Sequence, residues 1–200
     1  FLKEQKWEEA GVEFQSALAV DPNSAAAHYG LAQAHLGAKD LRGAYWELEE
    51  TVRLDPDNVE ARLRHGEFLL FGKKDDLARA IESADAILAR EPQRWEALLL
   101  KGRALQVTSR VEEACTAFEA AAQSAPADQP APLLLLGNCL RVSGKAVEAE
   151  AAFTKLTEVY EVPYKDSKNP NSGFSPRGMD ISSDVVALLA LAICHLASFD

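Results

Sequence analysis

His28 and His35 stand seven residues apart, close to two helical turns, so a helix through them would carry both imidazoles on one face. Such a pair could ligate a metal, and Cys194-His195 would add a thiolate and a third imidazole. A structural zinc site needs four ligands at characteristic spacings, and no such set converges here. The two histidines are therefore expected to pack between helices and cap them. Glu8-Glu9, Glu49-Glu50 and Glu112-Glu113 could in principle supply paired carboxylates for proton transfer. They recur where an outward, solvated helix face is expected, which is the ordinary meaning of such runs. The chain has no G-x-S-x-G elbow, no phosphate loop and no H-E-x-x-H. Cys115, Cys139 and Cys194 make an odd number without tight spacing and read as small core residues, with no disulfide framework. No catalytic residue, metal or cofactor is expected, and function must come from surface.

The elements behind that surface repeat. Asp21-Pro22-Asn23 returns as Asp55-Pro56-Asp57, and Pro22, Pro56, Pro92 and Pro126 are spaced by 34, 36 and 34 residues. Ala10, Ala44, Ala80, Ala114 and Ala149 form a second series, and Phe14, Leu48, Ala84, Phe118 and Phe153 follow four residues later. Three series in register define a repeat of about 34 residues.

Each unit reads as two helices. The first half, as in "AAAHYGLAQAHLG", carries apolar and small residues at i, i+3, i+4 and i+7 and predicts helix A. The second half, as in "DLRGAYWELEETVRL", sets Glu and Arg against Ala and Leu and predicts helix B. Helix B must end where Asp-Pro or Glu-Pro arrives, because proline lacks the N–H and its predecessor is pushed out of the helical region. Ser24 and Asn58 are expected as N-caps of the next helix. Gly30, Gly66, Gly102 and Gly137 lie inside A helices, where close helix packing is the expected reason. Neither helix buries its stripe alone, so the pairs must stack into a solenoid.

These residues resemble the tetratricopeptide repeat. That family places a small residue at position eight, alanine at twenty, an aromatic or leucine at twenty-four, alanine at twenty-seven and proline at thirty-two. From Ala25 the positions hold Ala32, Ala44, Leu48, Thr51 and Pro56, and from Trp95 they hold Gly102, Ala114, Phe118, Ala121 and Pro126. The resemblance implies an all-α, right-handed α-solenoid of stacked helix-turn-helix pairs. The expected organisation is a repeat array over 1–161, with a partial repeat at 1–24 and units at 25–58, 59–94, 95–129 and 130–161. Two extra residues near "GKKDD" should lengthen one turn. Residues 162–183, rich in proline and glycine, read as an irregular excursion, either a linker or a partner contact with Phe174 or Tyr164 as anchor. Residues 184–200 read as the start of a further repeat or a capping helix, and both ends read as cutting through repeats.

The resemblance also implies where a partner would sit. The family's concave face is lined by helix A, which nominates Tyr29, Gln33 and Leu36, then Leu63, Glu67, Leu70 and Phe71. It continues with Leu99, Arg103 and Val107, then Leu134, Asn138, Arg141 and Val142. Leu63, Leu99 and Leu134 would make one row, with Phe71, Val107 and Val142 beside it. An error of one position in the register would turn any of these residues inward. The lysine and asparagine clamp of chaperone-docking members has no counterpart, and Asn138 stands alone where sugar-transferase arrays carry an asparagine ladder. The expected partner is a protein or peptide segment with apolar anchors, with self-association into a homo-oligomer as the alternative and a non-catalytic arm of a larger enzyme as a third.

Charge and hydropathy narrow the classes. A net charge of −10 argues against a general nucleic-acid binder and gives no attraction to anionic membranes. "VVALLALAICHLA" is too short to span a bilayer. The opening stretch, with "FLK" and "DLRGA", resembles bacterial repeat lipoproteins of exopolysaccharide and exosortase-type envelope systems. Compartment stays open between cytoplasm and periplasm or envelope, with room for an upstream signal or lipid anchor.

Overall fold

A computed structural model describes residues 6–159. The expected excursion at 162–183, the expected further helix at 184–200 and the Cys194-His195 pair lie outside the described residues. Among the described residues the structure is all-helical: α1 Trp7–Val20, α2 Ala25–Gly37, α3 Leu41–Leu54, α4 Val59–Leu69, α5 Lys74–Leu88, α6 Trp95–Val107, α7 Val111–Ser124, α8 Ala131–Val142 and α9 Ala146–Val159. Helices α2, α4, α6 and α8 are the A helices of the repeat, and the odd-numbered ones are B helices.

The caps explain the punctuation. Ser24 Oγ accepts from Ala27 N at 3.3 Å, and Asn58 Oδ1 accepts from Ala61 N at 3.0 Å, each satisfying an orphan donor at a helix start. Asp40 does the same for α3 through Gly43 N at 3.0 Å. At the lengthened turn the Lys73 backbone N–H donates to Asp76 Oδ2 at 2.8 Å, so a carboxylate in the first turn of α5 replaces a conventional cap.

The chain divides into two compact units, residues 1–117 and 118–200, with the division falling inside α7. In the first unit, Ala32, Leu48 and Ala61 join α2, α3 and α4 in one cluster, with Tyr29, Val52 and Phe68 against it. A second cluster joins α4, α5 and α6 through Leu63, Leu69, Leu77, Ala80, Ile87 and Leu100. In the second unit Leu133, Leu134, Phe153 and Leu156 join α8 and α9. Ala10, Ala44, Ala80, Ala114 and Ala149 are all buried, which is why only a small residue serves at that position.

Gly30, Gly66 and Gly137 within A helices give room to side chains rather than to a neighbouring backbone. A Cβ on Gly30 would run into the Phe14 ring, and one on Gly66 into the Leu100 side chain. Arg79 reaches back one repeat to Glu49 at 2.8 Å, and Arg90 reaches Asp57 at 2.7 Å. Exposed pairs of this kind contribute about 0–1 kcal/mol each, so apolar burial carries the stack.

Candidate interaction surface

The nominated residues of the A helices differ in burial. In the first unit Tyr29, Gln33, Leu36, Leu99 and Arg103 are half-buried, while Glu67 is exposed. Phe71 and Val107 stand out at 84% and 57% exposure. In the second unit Asn138 is half-buried, Arg141 is exposed, and Val142 is 63% exposed.

Three of the nominated leucines turn inward. Leu63 and Leu70 belong to the α4–α5–α6 cluster, and Leu134 to the α8–α9 cluster, at 7%, 8% and 5% exposure. The row of fifth-position leucines is thus not a uniform open stripe. One helical residue is a 100° rotation, and α4 is packed by α3, α5 and α6, so a position at the rim of its free face is drawn into the core.

The histidines take structural partners. His28 Nδ1 lies 2.6 Å from Glu47 Oε2 on α3, and its Nε2 lies 3.1 Å from the Pro22 carbonyl. His35 Nδ1 lies 2.9 Å from Asp40 Oδ2, the carboxylate that caps α3. Hydrogen bonds from Gly43 N and His35 hold the Asp40 carboxyl below its ordinary range. Among the described residues no group of three or more potential metal ligands converges. Glu8, Glu9, Glu112 and Glu113 are exposed and Glu49 and Glu50 half-buried; the Arg53 guanidinium holds the Glu50 carboxyl below its usual range, and Arg110 does the same to Glu113.

Two features lay beyond the sequence reading. His65 on α4 is 3% exposed, with its ring 5.4 Å from that of Tyr45 and no hydrogen-bond partner at Nε2. Its neighbours at i−4 and i+4, Ala61 and Leu69, are both buried, and that spacing was the available signal. Cys115 and Cys139 each take part in a disulfide, which corrects the reading of them as small core residues outside any disulfide framework. Pairing depends on tertiary proximity, to which sequence spacing is blind.

A hollow of about 440 Å³ lies over Glu91, Pro92, Gln93 and Arg94 at the α5–α6 turn and includes none of the nominated residues. No described helix is long and apolar enough to cross a membrane.

Two family models, each described as a tetratricopeptide repeat, match residues 1–61 and 65–129. The chain belongs to the tetratricopeptide repeat family. No curated protein matches. Among solved structures, MamA 41-end from Desulfovibrio magneticus RS-1 superposes with a TM-score of 0.70 at 22% identity, over 82% of this chain and 91% of that one. PilW, described as a widely conserved type IV pilus biogenesis factor, superposes with a TM-score of 0.70 at 20% identity, over 97% and 81% of the two chains. At these identities the likeness is one of fold: this tetratricopeptide repeat chain shares their all-helical solenoid.

Proposed function

We propose that this repeat protein is a non-catalytic interaction scaffold that holds a segment of another protein along its A helices. The observation that carries the reading is the exposure of Phe71, since a phenylalanine left 84% open at the end of an A helix has no packing role in its own unit. Tyr29, Gln33, Leu36, Glu67, Leu99, Arg103 and Val107 extend the surface in the first unit. Asn138, Arg141 and Val142 offer a shorter one in the second. Leu63, Leu70 and Leu134 act as the floor that fixes these helices rather than as contacts. Apolar anchors flanked by polar groups suit a peptide whose backbone register must be set.

The test is partner capture from the source organism by wild type, Phe71→Asp and Leu99→Glu. Loss of the captured protein in both variants, with circular dichroism unchanged, supports the scaffold. Retention in both places the contact elsewhere.

Self-assembly is the second reading, and a disulfide-bonded chain fits an oxidising compartment such as the envelope. Light scattering across a concentration series separates the readings, because a concentration-independent monomer removes self-assembly.

A further inference from the structure

The first unit keeps its excess negative charge on one set of helices. With histidine neutral, α1, α3 and α5 carry ten carboxylates and four cations, whereas α2, α4 and α6 carry three and four. The outer face of the B helices therefore presents a negative field that the A helices do not share. Arg53, Arg79 and Lys101 neutralise Glu50, Glu49 and Asp85. Glu8, Glu13 and Glu82, with Asp75 half a turn into α5, are exposed and have no ion-pair partner among the described residues. The cations of these helices in the same condition are Arg42 and Lys74, too few to cancel them.

Trp46 stands on that face. Ala10, Ala44 and Ala80 mark the buried side of α1, α3 and α5. Two residues further is a rotation of about 200°, so Val12, Trp46 and Glu82 point away from the core. Val12 is 60% and Trp46 56% exposed, and Glu82 is exposed. The indole meets the Tyr45 ring edge-on with centroids 5.2 Å apart, yet it belongs to neither core cluster of the unit. Single apolar residues on a surface are ordinary, but these two hold the same position in successive repeats and so lie on adjacent B helices.

The geometry points to a second interaction surface, on the B helices, that docks a lysine- or arginine-bearing segment of a partner protein with one of its cations over the Trp46 indole. The inference goes beyond the A-helix scaffold and does not depend on it. An indole face attracts a cation through its quadrupole, and the surrounding field adds to that attraction. Glu82 on the next B helix, and Glu8 one turn before Val12 on the preceding one, supply carboxylates to the segment's other cations. An acidic segment would be repelled there, and a purely apolar one would desolvate both carboxylates without pairing them. Arg42, one turn before Trp46, is the charge that opposes docking.

The test uses a fluorescein-labelled twelve-residue peptide of repeating Arg-Ser-Leu, against Gln-Ser-Leu and Glu-Ser-Leu controls, read by anisotropy. The Arg-Ser-Leu peptide alone is expected to bind, and to weaken as salt rises. Trp46→Ala should lose about tenfold in affinity and Glu8→Gln/Glu82→Gln about fivefold, while Arg42→Gln should gain about twofold. Phe71→Ser, on the other face, should change nothing. Circular dichroism checks each fold, and the glutamine pair, which touches no packing, decides the matter if loss of the Tyr45 contact unfolds Trp46→Ala. No binding of Arg-Ser-Leu, equal binding of Gln-Ser-Leu, or unchanged affinity in the folded Trp46 or glutamate variants overturns the inference. Weakening by Phe71→Ser would also overturn it, by moving the contact to the A helices.

Discussion

Gly137 on α8 and Phe153 on α9 pack so closely that a Cβ at position 137 would lie 2.5 Å from Cε1 of the ring. Phe153 is itself buried and cannot swing into solvent. Gly137→Ala is therefore expected to lower stability by about 1–2 kcal/mol, since overpacking costs about 1–3 kcal/mol and only part returns as helix propensity. At Gly11 on α1 a Cβ would meet only Leu31 Cδ1, at 3.8 Å. Gly11→Ala should raise stability by up to about 1 kcal/mol. Urea titration of both variants checks the contrast, and the same sign for the two would refute it.

Leu63 and Phe71 sit on the same repeat, one in the core and one in water. Leu63→Ala should cost about 2–5 kcal/mol through lost burial and a residual cavity. Phe71→Ser should stay within about 0.5 kcal/mol. Thermal melts that reversed this order would return Leu63 to the surface.

His65 makes the first unit sensitive to acid. Burial first, then the Arg79 charge, pushes its imidazole below the ordinary value, while Glu49 and Asp76 partly oppose the shift. These charges face it from α3 and α5, and Tyr45 stacks against it. With the folded value depressed, the unfolded chain binds the proton first. The stabilisation is complete above about pH 6.5 and is lost as pH falls through the lower folded value. His65→Phe, which keeps a ring in the site, should show a smaller drop in melting temperature between about pH 7.5 and pH 5. An identical drop in wild type and variant would dismiss the histidine as the cause.

Cys115 and Cys139 should resist alkylation in the denatured, unreduced chain and react fully after reduction. Peptide mass spectrometry reads both states. Labelling of either thiol before reduction would contradict the bonded assignment.

The family and the helical register were already written in one dimension. Prolines at matched intervals stop helices by covalent geometry, and Ser24 and Asn58 cap through neighbours three residues away, so these features need no distant contact. The alanine series also survives intact, because a periodic stack places the same position against the same kind of neighbour in each repeat. What tertiary structure alone decided lies at the margins of that regularity. Leu63 and Leu134 turned inward while Phe71 stayed in water, since helical spacing fixes a residue's angle on its own helix but not how closely the next helix approaches. His65 and the two bonded cysteines follow the same rule: their chemistry comes from residues brought close by packing, and distance in space cannot be read from separation along the chain.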